Sequence, residues 1–305
     1  MGPSTRRVVV AALFGVLLSS ARTMGTPAKT PTIPELRQAM EKLRPLHRKM
    51  APPKNWEWLS QHREPGQTFE QYLTSNPIIP TANRRTISIQ PLGDFGPKQR
   101  DVIGLTAEYI GIYFNLPVKT LEDMPLSTIP GEARRVHPEW GDRQVLTTYV
   151  LDKVLRPRLP KDAFGFISFT SSDLWPGAGW NFVFGQASLR DRVGVWSLYR
   201  FGDPAASDEA FRLCLRRTVA LGTHELGHMF SILHCTAYEC NMCGSNSLPE
   251  SDGRPIADCP ECMAKICWAT GADPRERYEK LAKFCGDHGL RVEAERYAEL
   301  AQALR

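Results

Sequence analysis

The chain has no apolar run of the about 20 residues that a bilayer-spanning helix needs, so no stable membrane span is expected. It has no block of like charge either. Thirty-eight Lys and Arg stand against 33 Asp and Glu, a net charge of +5 scattered over 305 residues. That mild, dispersed excess argues against a nucleic-acid-binding face. No internal repeat is present, which excludes repeat architectures. Histidine and cysteine are scarce, at 7 and 8 residues, and a chain this long is not a small disulfide-stapled domain. What remains is an ordinary soluble composition, 42% hydrophobic and 23% charged. It suffices for a sizeable core in one large domain or two small ones.

The first residues depart from that pattern. Arg6 and Arg7 precede the apolar run Val8–Leu18, and Ser19-Ser20-Ala21 follow. A basic start, a short apolar stretch and small residues match a secretory signal peptide over 1–21, cleaved after Ala21. The paired arginines suit twin-arginine export of a protein already folded around metal. The expectation is an exported protein, periplasmic or secreted. The alternative is a cytoplasmic or membrane-anchored one, and N-terminal sequencing that finds a start at Met1 or Met24 would decide for it.

Residues 22–83 form a linker and N-terminal extension rich in Pro, Lys and Arg, which wraps the main domain or stays loose. Leu36, Met40, Leu43 and His47 have helical spacing within Glu35–Met50, and Pro52-Pro53 is a stop. The main domain runs over 84–270. Thr86–Pro91 reads as a strand, Pro97–Phe114 as a helix, Leu116–Val118 as a short strand and Gln144–Leu155 as a second helix. Phe164–Thr170 reads as a buried strand, and Asn181–Gly185 and Gly194–Phe201 as further strands. A long helix is predicted over 208–230. Pro274–Cys285 and Leu290–Leu304 make a C-terminal helical pair within 271–305. Strands alternating with helices ahead of the long helix give an α/β or α+β class with a mixed sheet.

Three of the histidines and five of the cysteines fall within residues 224–262. His224-Glu225-Leu226-Gly227-His228 is H-E-x-x-H. On a helix, residues four apart share a face, so His224 and His228 can address one ion while Glu225 stands beside it to take a proton from a metal-bound water. His234 can complete the set only if the helix stops near Ser231 and the chain turns back. Three neutral imidazoles leave a coordination position open, the arrangement of catalytic zinc, and zinc lowers the pKa of its water from about 15.7 towards ~7. Amide hydrolysis without a covalent intermediate is the reaction expected. The cysteines offer a second site, closed and therefore structural. Cys259 and Cys262 form one C-x-x-C; its partners are either Cys235 and Cys240, or Cys240 and Cys243 in a ribbon-like spacing. A disulfide network is the competing reading.

The run from His224 through Glu225, His228, His234, Cys235, Cys240 and Met242 to Cys259 and Cys262 resembles the archaemetzincins, a zincin-type metallopeptidase family of the metzincin clan. Ile89–Gly93, Asp173–Pro176, Trp180–Ala187 and Gly194–Phe201 are similar to that family too, so the likeness spans about residues 65–270. It implies a twisted mixed sheet, an active-site helix and a small zinc-clipped C-terminal part. It implies two Zn(2+) per chain, one on His224, His228 and His234 with Glu225 as base, the other on Cys235, Cys240, Cys259 and Cys262. Met242 corresponds to the Met-turn, packed under the imidazoles. By analogy with related peptidases, Asn181, Phe182, Val183, Phe184 and Gly185 are the edge that binds a peptide or protein substrate. The function implied is a zinc metallopeptidase; the alternative is a zinc-stabilised binding or regulatory protein with little turnover, and hydrolysis of a non-peptide amide is a third. Two departures stand out. Ser231 occupies the turn where the pattern has glycine, and Cys243 is an extra thiol.

Overall fold

A computed structural model describes residues 30–188 and 190–305. The expected signal peptide lies outside the described residues. In chain order the helices are α1 (Ile33–Leu43), α2 (Trp58–Gln61), α3 (Phe69–Thr74), α4 (Pro97–Phe114), α5 (Thr147–Tyr149, continued by a wider turn over Val150–Leu155), α6 (Asp208–Met229), α7 (Leu248–Asp252), α8 (Pro260–Thr270), α9 (Pro274–Asp287) and α10 (Arg291–Ala303). The strands are β1 (Thr86–Leu92), β2 (Val118–Thr120), β3 (Arg134–Val136), β4 (Arg143–Leu146), β5 (Ala163–Thr170), β6 (Asp173–Trp175), β7 (Gly185–Ser188) and β8 (Val193–Ser197).

The main sheet has the order β2-β1-β5-β8-β7. Its pairings are parallel except the last, in which β7 runs antiparallel to β8 and forms the sheet edge. A smaller sheet has the order β3-β4-β6. Every residue of β5 is buried, as its unbroken apolar run requires for a central parallel strand. The mixed α/β class follows the alternation read from the sequence. One core joins β1 and β5 to α4, α6 and α8, and takes in Leu36 and Leu43 of α1 and Leu281, Phe284 and Leu300 of the last two helices. A second, smaller core gathers Phe166, Val193 and Val195 with Val150, Leu151 and Val154.

Five boundaries differ from the sequence reading. The strand read over Gly194–Phe201 runs Val193–Ser197 and gives way to a tight helical turn at Tyr199–Phe201. The first helix ends at Leu43, well before Pro52, because Pro45 sits in the next turn and cannot continue the hydrogen-bond ladder. The second strand starts at Val118, not Leu116, since Pro117 has no N–H and only its carbonyl joins the ladder, accepting from Ile87 N at 2.9 Å. The segment read as a helix from Gln144 opens as strand β4 and turns helical at Thr147. The strand expected over Asn181–Gly185 lies at Gly185–Ser188 instead. Upstream of Phe184, whose carbonyl still accepts from Ser197 N at 2.9 Å, the backbone leaves β8 and bridges the smaller sheet, with Val183 N donating to Leu174 O at 3.0 Å.

Candidate metal centre and active site

Helix α6 carries the first two histidines. Ser207 caps it by accepting from Ala210 N, and Asp208 and Glu209 occupy the first turn, where acidic side chains complement the helix dipole. It ends at Met229. Ser231 then takes φ +63, the left-handed conformation that turns the chain back, and His234 returns to the helix. The rings of His224, His228 and His234 lie 4.7 to 5.2 Å apart between centroids.

All three imidazoles have a partner on Nδ1. His224 donates to Asn241 O at 2.7 Å, His228 to Ile232 O at 2.6 Å, and His234 to the Glu64 carboxylate at 2.8 Å. An oxygen acceptor at Nδ1 places the proton of a neutral ring there, so Nε2 is the atom that can face a metal. The Nε2 atoms of His224 and His228 are 3.1 Å apart. A tetrahedral zinc with bonds of about 2.0–2.1 Å would set them roughly 3.3 Å apart. Burial lowers the pKa of His224 and of His228 to about 4, so both are neutral at pH 7, the state a ligand needs. The donor set therefore fits a zinc ion. Burial pushes the Glu225 carboxyl upward from its ordinary value.

The second cluster holds Cys235, Cys240, Cys259 and Cys262, all buried, with ligand atoms within 4.8 Å of one another. The sulfurs of Cys235 and Cys259 are 3.6 Å apart and those of Cys240 and Cys262 are 4.0 Å apart. Tetrahedral zinc thiolate bonds of about 2.3 Å place sulfurs roughly 3.8 Å apart, whereas a disulfide needs about 2.05 Å. The eight cysteines are unbridged, against the disulfide reading. Cys259 is the N-cap of α8 and Cys262 lies in its first turn, where free backbone N–H groups favour negative charge. Cys243 stands outside the cluster; its Sγ accepts from Cys240 N at 3.3 Å and lies 3.2 Å from Tyr238 O.

Met242 is fully buried beneath α6. A Cβ at Gly227 would fall 2.6 Å from Met242 Sδ, so glycine is required where the thioether passes under the motif. The loop is tied back by Cys235 N to Met242 O at 2.7 Å and by Asn241 Nδ2 to Thr223 Oγ1 at 2.8 Å.

A cavity of about 420 Å³ opens beside the histidines. His224, Glu225 and His234 line it together with Phe182, Val183, Phe184 and Gly185. Of the residues expected to bind substrate, Asn181 does not line it. Its carbonyl faces the smaller sheet and accepts from Arg135 and Gln144 at 2.9 and 2.8 Å. Trp58, Leu248 and Ile256 complete apolar parts of the wall. Trp58 and Glu64 belong to the N-terminal extension and have no motif around them, so sequence spacing does not single them out.

The model of peptidase family M54 matches residues 144–267, the stretch that contains both clusters. Archaemetzincin-2 of Pongo abelii is 35% identical over 263 residues, covering 76% of this chain and 72% of that protein. The archaemetzincin of Thermococcus kodakarensis is 38% identical over 109 residues, 34% of this chain and 56% of that protein. The crystal structure of archaemetzincin from Methanopyrus kandleri is 28% identical, with a TM-score of 0.48, and covers 62% of this chain and 96% of that one.

Proposed function

This chain belongs to the archaemetzincins, the zinc-dependent peptidases of family M54, and from that premise we propose that it cleaves peptide bonds with Glu225 as general base at a centre formed by His224, His228 and His234. The observation that carries this is the convergence of three imidazoles, each fixed at Nδ1, beside the half-buried Glu225 carboxyl on the wall of a cavity. When bound there, zinc supplies Lewis-acid polarisation of the scissile carbonyl and acidifies a water.

The chain's own groups do the rest. Glu225 takes the proton of the attacking water on its carboxylate and hands it to the leaving amine, so one residue serves as base and then acid. Phe182–Gly185 lead into the edge strand β7 and line the same cavity. An edge of this kind offers backbone N–H and C=O groups to an extended peptide. Trp58, Phe182, Phe184, Leu248 and Ile256 give the cavity apolar surface against which substrate side chains can pack. Cys235, Cys240, Cys259 and Cys262 hold a second, closed zinc that fixes the turn between His234 and Met242. A purely structural zinc module has no need of a general base facing a cavity, which favours turnover over passive binding.

The deciding experiment is a peptide-library digest with the zinc-loaded protein and its Glu225→Gln variant, with zinc content measured in both. Loss of general-base catalysis lowers turnover by about 10²–10⁴-fold at unchanged zinc content. Wild-type turnover by Glu225→Gln overturns the mechanism.

A further inference from the structure

The three imidazoles are not held alike. His224 and His228 donate Nδ1–H to the main-chain carbonyls of Asn241 and Ile232, acceptors that arrive with the turn after α6. His234 instead meets a carboxylate from the N-terminal extension, with Glu64 Oε1 at 2.8 Å and Oε2 at 3.0 Å from Nδ1. Glu64 lies outside the 144–267 stretch that the family model matches.

The Glu64 segment is clasped onto the loop it serves. Gln67 holds the turn just before His234, its Nε2 donating to Ser231 O at 3.3 Å and its Oε1 accepting from Leu233 N at 3.3 Å. Lys265 Nζ donates to Gln67 O, and Phe69 N donates to Glu261 Oε2 at 2.6 Å. On the other side, Trp58 N is bound to Glu250 Oε1 at 2.9 Å, and the Trp58 ring stands edge-on to His234 at 5.5 Å. The Glu64 side chain is 22% exposed and that of His234 19%, so this is a held pair and not a loose surface contact.

His234 needs such a support more than its fellows. It sits on non-helical backbone after α6, whereas His224 and His228 ride on the helix. We propose that Glu64 is a positioning residue of the histidine metal centre: it fixes the Nδ1–H tautomer and ring orientation of His234, raises the basicity of Nε2, and so makes the metal affinity of the site depend on the N-terminal extension. This rests on the reading of the three histidines as a metal site. Removing a carboxylate partner of a ligating histidine typically weakens metal binding by about 10–100-fold.

The test uses the full chain loaded with Co(II). Both sites show visible d–d bands, but only the cysteine site adds thiolate-to-metal charge transfer in the near ultraviolet, so the histidine site is read as the equivalent of Co(II) taken up without that charge transfer. Affinity of the histidine site is read by competition with a chromophoric chelator. Glu64→Ala is expected to lower it by about 10–100-fold with the cysteine-site band unchanged. Glu64→Gln, which keeps an acceptor oxygen but no charge, is expected to fall between Glu64→Ala and wild type. His228→Ala is the control. If His228→Ala takes up that second equivalent with wild-type affinity, the histidine centre itself is misassigned. If His228→Ala weakens or loses that equivalent, and both Glu64 variants bind within twofold of wild type, the Glu64 inference is overturned. Should Glu64→Ala also lose the cysteine-site band, through misfolding, the near-isosteric Glu64→Gln alone decides: reduced affinity supports the inference and wild-type affinity overturns it.

Discussion

Ser231 shows how one residue can be the wrong type for its conformation and still be tolerated. At φ +63 a serine is strained by roughly 1 kcal/mol relative to glycine. Its hydroxyl supplies something glycine lacks: Ser231 Oγ accepts from Ile78 N at 3.0 Å. A bond of that kind contributes about 0.5–1.5 kcal/mol. The two effects are of similar size, so Ser231→Gly is expected to shift the free energy of unfolding by less than about 1 kcal/mol. Ser231→Ala keeps the strain and loses the bond, and is expected to destabilise by about 1 kcal/mol. Urea denaturation of both variants checks this; equal midpoints for the two would contradict it. Legibility at this scale depends on spacing. His224, Glu225 and His228 are readable because four residues make one helical turn. The turn at Ser231 is readable because His234 cannot otherwise reach the site. The choice of Cys235 over Cys243 needed the family resemblance, since both spacings allow a tetrahedral site. Glu64 stands 170 residues from His234, and no local period links the two.

Elements were legible where one signal dominated. Helix α6 has a capping serine, acidic residues in its first turn and the motif at its end, and it spans Asp208–Met229 much as read. The edge strand was misplaced for a reason visible in its partner. The apolar residues Phe182, Val183 and Phe184 suggest a strand, but they are cavity wall and a bridge to the smaller sheet. The strand proper begins at Gly185, directly opposite Trp196. Glycine is required there because a Cβ would fall 2.0 Å from Trp196 Cδ1. Trp196 is buried at the heart of β8, so it cannot swing away without repacking. Gly185→Ala is therefore expected to destabilise by about 1–3 kcal/mol, as overpacked sites do, and to raise KM for peptides by displacing the substrate edge. Chemical denaturation and steady-state kinetics measure both. A variant as stable as wild type would show that β7 and β8 accommodate the methyl group.

Across the whole molecule the two clusters hold very different positions, and their metals should leave by different routes. The histidine centre offers three side chains that could hold a metal and faces a cavity of about 420 Å³. Its imidazoles are held at Nδ1 by Asn241, Ile232 and Glu64. The cysteine centre offers four thiols, each at most 6% exposed, and joins the loop after α6 to the first turn of α8. Helix α8 packs against α1 and α3 of the extension and shares its core with α9 and α10, so this centre anchors both ends of the described chain. Burial drives the Cys240 and Cys259 thiols well above their ordinary pKa; without a cation they remain protonated and supply only packing. Structural zinc in small domains contributes about 10–16 kcal/mol to folding, on the scale of the ~5–15 kcal/mol by which a domain is stable at all. Chelation should therefore proceed in two steps. A mild chelator removes one zinc per chain and abolishes peptide cleavage while the unfolding temperature moves little. A stronger one removes a second zinc, and the cooperative unfolding transition is lost. Zinc content, turnover and unfolding temperature followed along one chelator series would reveal this order; a single zinc per chain, or activity and fold lost together in one step, would contradict the division of labour between the two centres.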